Sequence, residues 1–236
     1  MPRCPSKTEL SCFIRSLKGS NMIRFVFVFC LFATVASNAV AVEIRPNAMN
    51  MAKKLITKHE TRDRKMPVLK PYHHKGEMIA GCKEGDCRVW TACYGNTMLY
   101  NWRGKFVRYI KRTDDFTVAI CEKVFRNHMI EVLANVDRIF KQNGFANWNT
   151  ILMDREVAVV LDNVWWTGAY GRKIRRYLKA VADYGKFINS HGRNAITEKQ
   201  VEPIFKAQEA VKTSKRFNFT PRINDLNEVF VGLKVL

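Results

Sequence analysis

From residue 116 onward the apolar positions fall at helical spacing. Phe116, Ile120, Val124, Ile130, Leu133, Val136 and Phe140 recur at three- and four-residue steps, with one six-residue gap before Ile130. That period lays one helix face on a core. Thr113, Asp114 and Asp115 offer N-caps and Asn143-Gly144 a stop, so the stretch predicts one long helix or two with a kink. Residues 154–166, DREVAVVLDNVWW, are apolar on most sides and predict a buried helix ended by Gly168. Residues 172–190 predict an amphipathic helix, very basic at its start, and 198–211 a further helix. The tail from 215 to 236 carries apolar residues without a clear period. Upstream, 51–60 (MAKKLITKHE) put Leu55 and Ile56 on one face of a short helix that runs up to a glutamate. Between 61 and 90, Pro67, Pro71, Gly76, Gly81 and Gly85 divide the chain into turns and short strands. Residues 89–94 read as a strand entering a turn at Gly95. Strands and helices are segregated, which means an α+β fold with a small β-rich lobe and a larger helical lobe.

The first 41 residues read as a targeting segment. Residues 25–35, FVFVFCLFATV, form an apolar run just after Arg24, and Ala39-Val40-Ala41 has the form of a cleavage site. Met22 is an alternative start, since Met22-Ile23-Arg24 makes a compact basic head. The preferred reading is a cleaved signal peptide. The alternative is a releasable membrane anchor, because residues 25–42 are near the lower length limit for a span. Residues 42–51 then form a linker, 52–191 the main domain, and 192–236 an extension packed on the helical lobe. The expected location is exported, periplasmic or secreted, with tethering before release as the variant.

Export changes how charge and cysteine are read. The 236-residue chain carries a formal charge of +19, and its pI is about 9.9. Removing residues 1–41 takes away five basic residues and one acidic residue, so +15 stays with the domain. Such a charge favours polyanions: nucleic acid, anionic headgroups or acidic cell-wall polymer. An exported protein rarely meets nucleic acid, so envelope polymers lead and no nucleic-acid partner is expected. Cys4, Cys12 and Cys30 fall in the leader, while Cys82, Cys87, Cys93 and Cys121 remain, an even number for an oxidising compartment. Two disulfides, or one with two buried thiols, fit them, and three pairings are open. None of these spacings is Cys-x-x-Cys. A zinc site would have to draw on His73, His74, His59 and His128, and no metal or other cofactor is expected.

Three pieces of sequence carry a family resemblance. The first is Leu55-Ile56-Thr57-Lys58-His59-Glu60, an apolar pair followed by a glutamate at a helix end. Next come Pro71-Tyr72, a glycine-bearing loop and WTACYGNT, residues 90–97. Last is the apolar helix that ends in Trp-Trp-Thr-Gly at 165–168. Their order resembles the phage-type lysozymes, the glycoside hydrolases that serve as endolysins, over about residues 52–190. Some members also have a cysteine before the Tyr-Gly, as Cys93 is here. The resemblance implies a lysozyme-like fold with a cleft between its lobes. It implies a muramidase that hydrolyses the β-1,4 bond between N-acetylmuramic acid and N-acetylglucosamine of peptidoglycan, acting as a monomer without a cofactor. Glu60 would be the general acid that protonates the leaving oxygen, a role that calls for a carboxyl in a partly apolar cleft. Thr91 would hold the attacking water or substrate, and Tyr94 and Asn163 would contact the sugar.

The chain departs from the pattern where water is activated. The family's aspartate lies shortly after Pro-Tyr, where this chain reads Tyr72-His73-His74-Lys75. His74 stands at that place, and a neutral histidine can serve as a base near pH 7. Glu77, Glu84 and Asp86, in the loop before Thr91, are the alternatives. Thr61 replaces the glycine after the glutamate, and Asn96 the histidine of Tyr-Gly-His-Thr. Each residue also has a plain reading. Glu60 can be a surface glutamate, Thr91 a strand residue, His73-His74 a solvated turn, and Trp165-Trp166 core packing. Asn163 can simply satisfy local backbone, and Arg172, Lys173, Arg175 and Arg176 can be a solvated face or a contact to anionic envelope. The functional expectations are therefore three: an exported muramidase, an inactive lysozyme-like protein binding cell-wall polymer or anionic envelope, and an unrelated secreted interaction protein.

Overall fold

The computed structural model describes residues 44–61, 66–79, 81–83, 85–211 and 220–232, the side chains of 74–77 and 220 excepted. The expected leader, as signal peptide or releasable anchor, lies outside the described residues. Among the described residues the chain forms seven α-helices and two small antiparallel sheets. No helix among them is long and apolar enough to cross a membrane.

Helix α1 spans Pro46–Glu60. It starts inside the stretch read as a linker, because Pro46 pre-sets the first-turn dihedral and needs no N–H partner there. Ala48, Ala52, Leu55 and Ile56 are fully buried on its inner face. Strands β1 (Val68–Met78) and β2 (Arg88–Cys93) pair antiparallel, with Tyr72 opposite Thr91 and His73 opposite Trp90. A tight turn follows, closed by reciprocal bonds of 2.9 Å between Ala92 and Asn96. A second hairpin, β3 (Met98–Tyr100) and β4 (Phe106–Tyr109), was not anticipated. Its strands are too short to show alternation.

Helix α2 is one unbroken element, Val118–Gln142, without the kink that the six-residue gap suggested. The gap is filled by Phe125 and Met129, both buried, whereas Ile120 and Ile130 of the expected stripe are exposed. Thr117 is the N-cap, its hydroxyl accepting from Ile120 N at 3.2 Å. The stop at Asn143-Gly144 falls where expected, with Gly144 at φ +71°.

Short α3 (Trp148–Ile151) precedes α4 (Asp154–Thr167), whose residues from Glu156 to Trp165 are all buried. Helix α4 is the axis of the fold and is packed by α1, α2, α5 (Arg172–His191) and the C-terminal α7 (Thr220–Val231). Helix α6 (Glu198–Val211) lies on α5. Glu156, 1% exposed, receives Arg193 Nη1 at 2.7 Å and the Tyr184 hydroxyl at 2.7 Å. Those contacts satisfy a carboxylate that burial alone would make costly. Gly185 of α5 sits against the Phe145 ring so closely that a Cβ there would meet Cζ at 2.1 Å.

Both sulfur pairs form disulfides, Cys82–Cys87 and Cys93–Cys121. The first closes the loop before β2, and the second ties the end of β2 to the first turn of α2.

Candidate functional site

Glu60 is the last residue of α1, and its carboxyl lies against the turn after β2. Gly95 has φ +78°, and a Cβ built there would meet Glu60 Oε2 at 2.3 Å. Only glycine meets both demands, the left-handed backbone and the close approach. Two pieces of sequence 35 positions apart, the helix-ending glutamate and the Tyr-Gly turn, are therefore in contact.

The other side of the carboxyl is held by α7. Arg222 Nη1 donates to Glu60 Oε1 at 2.6 Å. The same guanidinium donates to Asp162 of α4, from Nη2 to Oδ1 at 2.9 Å and from Nε to Oδ2 at 3.2 Å. This fork is the bidentate arginine–carboxylate geometry. His59 Nδ1 lies 3.4 Å from Asp162 Oδ1, and its Nε2 lies 3.0 Å from Asp225 Oδ2. Lys58 Nζ donates to the same Asp225 oxygen at 2.6 Å. Three consecutive residues at the end of α1 thus reach α4 and α7 through one charged network. Asp162 is fully buried, and burial works to raise its pKa. Arg222 and His59 outweigh burial and hold it below the usual carboxylate range. Burial works to lower the Arg222 pKa, and Asp162 and Glu60 reverse that, so it stays charged. The Arg222 guanidinium also sits 4.9 Å over the Trp166 ring, a cation–π contact.

Glu60 differs from its neighbours in the network. Its side chain keeps 18% of its surface exposed, and Oε2 makes no hydrogen bond among the described residues. One oxygen is anchored and the other stands against a glycine turn.

The remaining sequence-derived candidates spread out. Thr91 is buried in mid-β2, and no hydrogen bond joins it to Glu60. The Tyr94 side chain turns inward, its hydroxyl donating to Glu122 Oε1, which burial together with Glu122 drives far above the ordinary phenol pKa. Tyr94 is 3% exposed and its carbonyl accepts from Trp165 Nε1 at 3.0 Å. Asn163 is fully buried in α4 with Nδ2 donating to Val159 O at 3.1 Å, the local backbone role weighed for it. His74 belongs to β1, but its side chain and that of Glu77, and all of Glu84, lie outside the described residues. Asp86 is engaged by Arg88 Nε at 2.7 Å and Trp90 Nε1 at 2.9 Å, which hold its pKa down to about 2.

Asn96 has a structural partner. Its Nδ2 donates to His128 Nδ1 at 3.0 Å. His128 lies between Tyr100, stacked at 4.6 Å, and Trp165 at 4.1 Å. Burial lowers its pKa to about 4.

Sequence reading missed Arg222, Asp162 and Asp225. A signal existed for Asp162: an aspartate within an otherwise apolar helix must find a counter-charge. The partner Arg222 sits in the tail where no period was read. Among the described residues no group of histidine, cysteine, aspartate or glutamate side chains could hold a metal ion.

No protein-family model matches the chain, and neither a curated protein nor a solved structure matches it significantly.

Proposed function

We propose that this chain is a lysozyme-like muramidase that cleaves the β-1,4 bond between N-acetylmuramic acid and N-acetylglucosamine in peptidoglycan, with Glu60 as proton donor. One observation carries the reading. Glu60 has Oε1 anchored by Arg222 at 2.6 Å, while Oε2 lies against the Gly95 turn and makes no hydrogen bond among the described residues. A general acid needs a carboxyl of fixed orientation with one oxygen available to carry the proton. In this reading Oε2, protonated from solvent while Oε1 keeps the Arg222 N–H, delivers its proton to the glycosidic oxygen as the C–O bond breaks, and water adds to the sugar carbon with its released proton passing to the base. Thr91 and His74 are the groups proposed to hold and activate that water. Export to the periplasm or beyond brings the enzyme to its polymer, and the positive charge draws it to the anionic envelope.

Residues 42–236 form one compact unit, which suits assay without the leader. The test is turbidity loss of purified peptidoglycan with this unit and its Glu60→Gln variant. The parent is expected to clear the suspension. The variant should lose at least about 100-fold in rate, the ordinary worth of a general acid. Equal clearing by both would remove Glu60 from the mechanism.

A second reading, a non-catalytic cell-wall-binding protein on the same scaffold, is favoured by the Arg222–Asp162 fork beside Glu60. An arginine shared by two carboxylates is also what a purely structural buried cluster looks like. It predicts retention on peptidoglycan at low salt with no release of reducing ends, and screening should weaken that retention.

A further inference from the structure

The β3–β4 hairpin, residues 98–109, has no part in the Glu60 network, and its surface is unusual. Trp102 at its tip is 67% exposed, Val107 57% and Phe106 51%, with Tyr109 at 38%. Isolated exposed apolar side chains need no explanation, but these four fall within eight residues of one hairpin, with Phe106 and Tyr109 in edge contact at 5.3 Å. Cations are interleaved with them. Arg103, Lys105, Lys111 and Arg112 are exposed, and none of the four forms a salt bridge among the described residues, although Lys111 lies in the field of Asp114. Asp114 is taken up by Arg108, at 2.7 and 2.9 Å.

The hairpin is also held in place. Asn101 Oδ1 accepts from Arg103 N at 2.9 Å and Lys105 N at 3.0 Å, which orders the tip. Gly104, at φ +69°, sits so close to α2 that a Cβ would meet Glu131 N at 2.8 Å. Asn127 of α2 donates to Tyr100 O at 2.8 Å. The exposed tryptophan therefore stands on a braced turn, and binding through it costs little ordering entropy.

We propose that this hairpin seats the protein on an anionic lipid bilayer. Trp and Tyr suit the headgroup level, Phe and Val the acyl boundary beneath it, and the exposed cations the anionic headgroups. A glycan chain fits less well. Arg103 already covers the Trp102 ring at 4.3 Å, and the Asn101 carbonyl oxygen, which could accept from a sugar hydroxyl, is consumed by the turn. The inference does not rest on the hydrolytic reading, and a Glu60→Gln chain should bind vesicles as the parent does.

The experiment uses the full chain with vesicles of phosphatidylcholine and phosphatidylglycerol, some carrying brominated acyl chains. Binding to anionic vesicles and bromine quenching of tryptophan emission are expected. Trp102→Phe should retain binding and lose most of the quenching, since Trp148 and Trp165 are buried and the half-buried Trp90 and Trp166 lie outside the hairpin. Lys105→Gln with Lys111→Gln should weaken binding roughly 25-fold, at about fivefold per charge. Both variants alter exposed side chains, and an unchanged Tm verifies their fold. Unaltered quenching in Trp102→Phe would overturn the proposal, because an apolar leader inserting alone leaves Trp102 unquenched in either chain. Undiminished vesicle binding by the charge variant would overturn it too. Loss of sedimentation with peptidoglycan but not with vesicles, in the same variants, would assign the hairpin to the glycan instead.

Discussion

Arg222 holds together side chains that its position in the sequence gives no hint of. It pairs Glu60 with Asp162, and its own side chain is only 10% exposed. Arg222→Ala would leave the fully buried Asp162 without its main counter-charge, and the loss of one partner of a buried pair costs about 3–5 kcal/mol. Urea unfolding should show that drop in the midpoint, and a change below about 1 kcal/mol would mean that water or His59 replaces the guanidinium. The neighbouring candidates divide differently. Glu60 was singled out by the resemblance, as a glutamate that ends an amphipathic run ahead of a Tyr-Gly turn; its contact with that turn appears only in the fold. Tyr94 and Asn163 were legible as residues, but the directions of their side chains were not. Whether Tyr94 points toward Glu60 or toward Glu122 depends on how α2 packs against the turn, which no local pattern encodes.

Among the elements, the long helices were the most readable, since periodicity over several turns averages out individual exceptions. The face of α2 was still partly misassigned. Ile120 and Ile130 are apolar but exposed, and Cys121, Phe125 and Met129 took the inner positions. Helix α7 was missed although Ile223, Leu226, Val229 and Phe230 are buried at helical spacing, because twelve residues hold only three turns. The join between β2 and α2 is covalent. The Cys93–Cys121 bridge spans 28 positions and the Cys82–Cys87 bridge only 5. The loop-closure relation assigns about 3.5 kcal/mol to the first and about 2 kcal/mol to the second. Replacing each cysteine pair by alanines and comparing unfolding midpoints tests this, with the larger loss expected for Cys93 and Cys121. Equal losses would show that the bridges act through native packing rather than through the unfolded chain.

Acid should weaken the molecule before its exposed carboxylates titrate. Burial depresses His128 from 6.5 to about 4, and its Nδ1 accepts from Asn96 as an unprotonated nitrogen. The unfolded chain binds this proton first. Stability from the neutral ring is complete above pH 6.5, falls as the pH drops through that value, and stops falling below about 4. The full loss is about 3 kcal/mol. Glu131, 3.9 Å from His128 Nε2, works against it, because burial raises its pKa and its native form gains protons as the pH falls. Urea unfolding at pH 7.5, 5.5 and 4.5 should show declining midpoints. A flat profile would mean that His128 protonates in place.

Composition and period alone determined the α+β class, the positions of α2, α4, α5 and α6, the presence of disulfides and the basic character of the chain. These depend on near neighbours and on sums over many residues. The tertiary structure alone decided that Glu60 meets Gly95, that Arg222 reaches across from α7, and that Cys93 pairs with Cys121. Each of those is a meeting of residues distant in the chain. Their geometry follows from how α4 is surrounded, and a linear pattern carries no term for it.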